Sequence, residues 1–203
     1  MKIICVGRNY SEHAKELNND VPTEPVIFMK GQNALLPHGK PFYYPEFTDD
    51  LQYECELVYK ISKNGKHVQA KFAHNYYEEI TLGIDFTARD LQRKQQQKGL
   101  PWEIAKAFDN AAAIGEFVPV TPGMKVNEIN FQLKHNTNLV QDGHTKDMIF
   151  PIDKIIEYAS KFFTLNIGDL IFTGTPAGVG STAIGDVLEG YLGSSKLLEV
   201  HIK

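Results

Sequence analysis

Apolar and polar residues alternate along much of this 203-residue chain, and strand-like runs outnumber helical ones. Ile3, Ile4, Cys5 and Val6 form an unbroken apolar run, which predicts a short buried strand over residues 3–6. Residues 11–17 read as a short helix that Ser11 is placed to cap, with His13 and Glu16 on one face at i, i+3 spacing. Residues 26–30 read as a second strand. Residues 31–45 are punctuated by glycine and proline and predict loops. Residues 53–61 alternate and are rich in strand formers, and Asn64-Gly65 then predicts a type I′ hairpin turn. A strand over 80–86 leads into the clearest helix signal. Thr87 and Asp90 match a capping box, the helix runs from Leu91 to about Lys98, and Gly99 with Pro101 stops it. Residues 129–133 alternate as a strand. Ile152, Ile155, Ile156, Ala159 and Phe163 form a helical stripe. Residues 170–173 run as a strand into the glycine-rich loop 173–180. Gly185-Asp186 and Gly190 predict turns, and residues 197–202 close the chain with alternation. The elements lack the regular strand–helix alternation of a parallel sheet. They predict a β-rich α+β domain, a mixed roll or barrel with a few short helices, spanning residues 1–203 without repeat or linker.

Composition narrows the partners. Apolar residues are 42% of the chain and charged ones 23%, which suits a folded protein. A net charge of -4 argues against nucleic acid or an anionic membrane, because both need a basic face. Cys5 and Cys55 are too few for a disulfide framework and lack zinc-ligand spacing, so two reduced core thiols are expected. Without a signal-peptide pattern or a membrane-length apolar run, a cytoplasmic location is the expectation.

The candidate chemistry is carboxylate-based. Within the alternating run, Glu54 and Glu56 share one strand face and Cys55 points to the other. Two adjacent carboxylates repel, and burying them calls for a cation. An edge strand with its acidic face in water is the alternative. Asp85 ends a strand just ahead of a helix and supplies a third carboxylate, or serves only a local turn. An oxygen-only set favours magnesium, manganese or calcium over zinc or copper. Arg89 and Gln92 share a helix face, where the arginine is suited to a carboxylate. Lys106, flanked by apolar residues, is either a partly buried ammonium beside a substrate anion or a snorkelling surface lysine. The 173–180 loop lacks the Gly-Lys-Ser/Thr ending of a P-loop, which removes nucleotide binding, although its N–H groups and Thr175 suit a carboxylate. Glu16 is spaced to orient His13 as a general base, and an exposed pair without a role is the alternative.

Five segments, in order, carry a resemblance to a known family. They are Cys5-Val6-Gly7-Arg8-Asn9-Tyr10 with His13; Glu54-Cys55-Glu56; Asp85-Phe86-Thr87-Ala88-Arg89-Asp90; Lys98-Gly99-Leu100-Pro101-Trp102 with Ala105-Lys106; and the loop from Thr173 to Gly180. Together they span nearly the whole chain, which resembles the fumarylacetoacetate hydrolase family, in particular its short acylpyruvase and oxaloacetate decarboxylase members. The resemblance implies a β-roll like that family's C-terminal domain, usually in a homodimer, with a Mg2+ or Mn2+ site held by Glu54, Glu56 and Asp85. It implies that Arg89, Gln92, Thr175 and Lys106 face substrate, and that His13 and Glu16 form a dyad on a lid helix. The implied reaction is cleavage of a carbon–carbon bond in a small 2-oxo acid, by acylpyruvate hydrolysis or oxaloacetate decarboxylation, through an enolate that the metal stabilises. Isomerisation of an unsaturated 2-oxo dicarboxylate is the alternative within enzymes, and metabolite binding without turnover is the one outside them. Two stretches depart from the family pattern: Gly31-Gln32, where relatives often have proline and a small polar residue, and Asp109-Asn110-Ala111-Ala112, where a proline and a threonine are common.

Overall fold

The computed structural model describes residues 1–16 and 20–203. In chain order the elements are β1 (Ile3–Gly7), α1 (Ser11–Glu16), β2 (Val26–Lys30), β3 (Leu51–Tyr53), β4 (Cys55–Ile61), α2 (Ala70–Ala73), β5 (Tyr77–Asp85), β6 (Thr87–Ala88), α3 (Arg89–Lys98), α4 (Glu103–Lys106), β7 (Ala112–Ile114), β8 (Val118–Pro119), β9 (Asn130–His135), β10 (Asn138–His144), α5 (Ile152–Phe162), β11 (Leu170–Phe172), β12 (Gly180–Ser181), β13 (Val187–Leu192) and β14 (Ser195–His201). Leu17, the last residue of the first expected helix, lies outside the described residues.

Three sheets organise the described residues. The central one runs β2-β1-β11-β4-β5-β7, with β8 also on β5. Only its β1–β11 pair is parallel. A second, antiparallel sheet runs β10-β9-β13-β14, and a small third one runs β12-β3-β6. The main core joins Leu57, Leu82 and Ile84 of the central sheet to Phe131, Leu133, Leu188, Leu198 and Val200 of the second. The α5 stripe packs into the same core through Ile152, Ile155, Ile156 and Ala159. Each fully buried isoleucine there contributes roughly 1.5–3 kcal/mol. The architecture is the β-rich α+β arrangement that the hydrophobic pattern predicts.

Four local expectations are corrected. Asn64-Gly65 makes no hairpin. Gly65 exchanges backbone hydrogen bonds with Leu165, and the chain goes on through α2 before returning as β5. A type I′ turn needs left-handed backbone at both central residues; nearby only His67 has it, with φ 54°. Glycine stands at 65 because a Cβ there would lie 2.3 Å from the Tyr76 ring. Gly190 lies inside β13 rather than at a turn, beside a register shift. A Cβ there would meet Leu198 at 3.1 Å and Leu82 at 3.2 Å, so glycine lets the second sheet approach the central one. Thr87 does not cap α3: Ala88 holds that position, and the Thr87 hydroxyl is used elsewhere. The run over 53–61 is not one strand. It breaks at Glu54, where the chain leaves the small sheet as β3 and enters the central sheet as β4. At the far end of α3, Gly99 closes the helix in the left-handed conformation, φ 63°, as its sequence position predicts.

The second stretch that departs from the family pattern is bonded to Asn33, the residue after the first. Asn33 Nδ2 donates to Asp109 Oδ1 at 2.6 Å, and the Asn110 N–H donates to the Asn33 carbonyl at 3.1 Å.

Candidate active site

The break at Glu54 and the end of β5 meet, with the Asp85 N–H donating to the Glu54 carbonyl at 2.8 Å. One carboxylate oxygen from each of Glu54, Glu56 and Asp85 lies within 4.8 Å of the others. All three residues are buried, at 6%, 2% and 1% exposure, which removes the reading of an acidic edge in water.

Cations surround the triad. The Lys106 ammonium, delivered by α4, donates to Glu54 Oε2 at 2.8 Å, Asp85 Oδ2 at 2.8 Å and Thr87 Oγ1 at 2.7 Å. It is 3% exposed and does not snorkel. Burial alone lowers its pKa, but Asp85 and Glu54 outweigh that and raise it, so it stays charged. Arg89, in the first turn of α3, donates through Nη2 to Glu54 Oε1 at 2.5 Å, through Nη1 to Gln92 Oε1 at 2.5 Å and through Nε to Gln52 Oε1 at 2.7 Å. Burial tends to raise the Glu54 carboxyl, and Lys106 with Arg89 overrides this and holds it well below the usual carboxylate range.

Lys30 is a member of this cluster that local sequence pattern missed. It ends β2, is 1% exposed, and its ammonium lies 2.6 Å from Asp85 Oδ1 while donating to the Lys106 and Ala111 carbonyls. The sequence shows only a lysine at a strand end; its partners lie 55 and more residues away.

His13 and Glu16 meet as their spacing predicts, with Nδ1 3.0 Å from Glu16 Oε2. Glu16 Oε1 accepts the Gly178 N–H at 3.1 Å, which ties α1 to the glycine loop. His13 is 5% exposed and lines the same cavity as the triad, with Arg89, Gln92, Lys106, Thr175, Arg8, Phe28 and Trp102. That cavity measures about 30 Å³. The Thr175 hydroxyl donates to the Cys55 carbonyl and accepts from Gln141 Nε2, each at 2.8 Å. Gln141 Oε1 accepts the Cys55 N–H at 2.9 Å. Thr175 therefore keeps acceptor capacity toward the cavity but no free donor.

The donor set fits a hard divalent cation. Asp85 Oδ1 is buried without a hydrogen bond, since Lys30 approaches it as an ion pair only. Glu56 has one hydrogen bond, from the Gly174 N–H at 2.6 Å. Burial, then Asp85 and Glu54, push the Glu56 carboxyl well above its ordinary range. Oxygen atoms held this way, without imidazole or thiolate, match the ligand preference of magnesium and manganese. Cys5 and Cys55 are both buried and unbridged.

Comparison with known proteins bears on this site. The chain is 42% identical to the mitochondrial oxaloacetate tautomerase of Mus musculus over 187 residues, 92% of this chain and 85% of that protein. The Caenorhabditis elegans mitochondrial oxaloacetate tautomerase is 40% identical, over 93% of this chain and 88% of that one. Fumarylpyruvate hydrolase from Pseudomonas aeruginosa, solved in complex with Mn2+ and pyruvate, superposes with a TM-score of 0.93 at 34% identity, covering 100% of this chain and 89% of that chain. The family model for the fumarylacetoacetate (FAA) hydrolase C-terminal domain matches residues 2–203. A buried carboxylate triad at the meeting point of two sheets, relatives that include tautomerases and a manganese-bound hydrolase, and a family match over almost every residue agree: this chain belongs to the fumarylacetoacetate hydrolase family.

Proposed function

We propose that the protein is a Mg2+- or Mn2+-dependent enzyme acting on a small 2-oxo acid, with His13 moving a proton at or near the carbon beside the keto group. The observation that carries this reading is the placement of the His13–Glu16 dyad on the wall of the cavity that holds the triad. Glu54, Glu56 and Asp85 would hold the cation. When bound, it supplies Lewis acidity to the carboxylate and 2-oxo oxygens of the substrate, where negative charge develops.

The chain's own residues do the rest. The contact with Glu16 assigns the His13 proton to Nδ1 and leaves Nε2 as the base. Glu16, held by Gly178, steadies the imidazolium once Nε2 has taken a proton. Lys106 keeps Glu54 ionised, pairs with Asp85 and places a positive charge beside the substrate oxygens. Tautomerisation of oxaloacetate needs only this: a proton leaves C3 and one arrives on the 2-oxo oxygen. The identity to oxaloacetate tautomerases favours it. Carbon–carbon cleavage is the second reading, favoured by the likeness to fumarylpyruvate hydrolase. There Nε2 takes the proton of a water that attacks the acyl carbonyl, the bond from that carbon to C3 breaks, and the proton passes to C3, so that pyruvate and a carboxylic acid leave. Decarboxylation of oxaloacetate needs no base.

A panel of oxaloacetate, acylpyruvates and unsaturated 2-oxo dicarboxylates, assayed by NMR with Mg2+ or Mn2+, separates the readings, because tautomerisation conserves substrate mass and cleavage does not. His13→Ala should lower proton-transfer turnover by roughly 10²–10⁴-fold while Mn2+ binding persists. Unchanged turnover in that variant removes the dyad from the mechanism.

A further inference from the structure

Arg8 occupies the turn between β1 and α1 with φ 59°, a left-handed backbone that a non-glycine residue adopts rarely and at a cost on the order of 1 kcal/mol. Its neighbour explains the geometry but not the residue. Asn9 is fully buried, and its side chain donates to the Thr173 carbonyl at 2.7 Å and the Phe150 carbonyl at 3.0 Å while accepting the Phe150 N–H at 2.8 Å. Driving Asn9 inward turns the backbone at residue 8, where glycine is the unstrained choice. Arginine stands there instead, and it lines the cavity of the carboxylate triad.

The other two basic chains on that wall, Arg89 and Lys106, are bound to Glu54, Asp85, Thr87, Gln52 and Gln92. Among the described residues none hydrogen-bonds or ion-pairs with Arg8, so this residue of the cavity wall has a guanidinium without a protein anion. Lys30, Lys106 and Arg89 already offset the three carboxylates. A divalent cation then leaves the site positive, matched to a ligand with more than one negative charge.

Resting on the function proposed above, we infer that Arg8 sets substrate class: its guanidinium takes the second carboxylate of a 2-oxo dicarboxylate, the one remote from the metal-side carboxylate. The fork of a guanidinium pairs a carboxylate bidentately, which gives selectivity over a neutral tail.

The test uses Arg8→Gly and Arg8→Lys, with oxaloacetate as the dicarboxylate and acetylpyruvate as the monocarboxylate. Arg8→Gly relieves the left-handed strain, so its Tm should hold or rise. Its kcat/KM for oxaloacetate should fall about 10- to 100-fold, mostly through KM, while acetylpyruvate stays within about twofold, and Arg8→Lys should recover part of the loss. An equal fall for both substrates, or none for oxaloacetate, overturns the inference. If the wild type consumes neither compound, the function proposed above is lost. Arg8 is then judged by calorimetric titration of oxaloacetate and of pyruvate into the Mn2+-loaded wild type and Arg8→Gly. The expected result is tighter oxaloacetate binding that only the variant loses, and wild-type affinity for oxaloacetate no greater than for pyruvate overturns the inference.

Discussion

Glu56 shows how the site stores unfavourable electrostatics. Burial and its carboxylate neighbours push its pKa well above the ordinary value of about 4.3. Between those two values the folded protein holds a proton that the unfolded chain gives up. Unfolding therefore releases a proton, and this group's contribution to stability falls as pH rises through the window. In metal-free protein this group should lower the Tm as pH rises above the ordinary carboxylate range. Glu56→Gln should flatten that drop, raise the Tm at neutral pH and weaken Mn2+ binding; thermal melts against pH, with a manganese titration by EPR, check all three. A variant whose pH profile follows the wild type would remove Glu56 as the source. Among single residues, the shared strand face of Glu54 and Glu56 and the i, i+3 spacing of His13 and Glu16 were legible locally, while the grouping of Asp85 with the two glutamates came from the family resemblance. Lys30 and Gln141 were not legible, because a lysine at a strand end or a glutamine in a strand acquires meaning only from a partner far along the chain.

Glu54 is the point where one segment passes between two sheets, and the register there is held from a third direction. The Cys55 N–H bonds to Gln141 of β10, Gln141 bonds to Thr175, and Thr175 bonds back to the Cys55 carbonyl. This ring fixes the backbone between two of the three carboxylates. Gln141→Leu leaves the Cys55 N–H buried and unpaired, which should cost about 1–3 kcal/mol. Urea denaturation measures that loss, and a weaker manganese affinity should accompany it; a variant as stable as the wild type would show that the ring is dispensable. Elements with a strong internal period were readable in advance: the α5 stripe, the α3 stop at Gly99 and the strands over 80–86 and 26–30. The failures share one cause. Gly65 and Gly190 were read as turn residues, but each is glycine because another chain segment comes too close for a Cβ. Short β7 and β8, and α4, carry too few residues to show a period.

At the scale of the whole molecule, the triad draws on β4, β5 and the segment between β3 and β4, and its cations come from β2, α3 and α4. A ligand that binds only this assembled arrangement stabilises the fold by mass action. Mn2+ at 100 times its Kd should add about 2.7 kcal/mol, raising the Tm by roughly 5–10 °C for a chain of this length. Calorimetry with and without EDTA checks the shift, and the shift should vanish when Glu54, Glu56 and Asp85 are replaced together by their amides. A shift that survives this replacement would place the metal elsewhere. Among the described residues no helix is long and apolar enough to cross a membrane.

The sequence by itself determined the β-rich composition of the fold, the type and approximate place of its strongly periodic elements and the acidic character of the site, because side-chain period and residue chemistry are local properties. Tertiary structure alone decided that the acids are buried, that three basic side chains offset them, that Thr175 is held by Gln141 and that Arg8, on the cavity wall, has no protein anion as partner. Burial and pairing depend on which distant segments meet. The free energy that fixes those meetings comes from the shared core of the two larger sheets, which no single stretch of the chain contains.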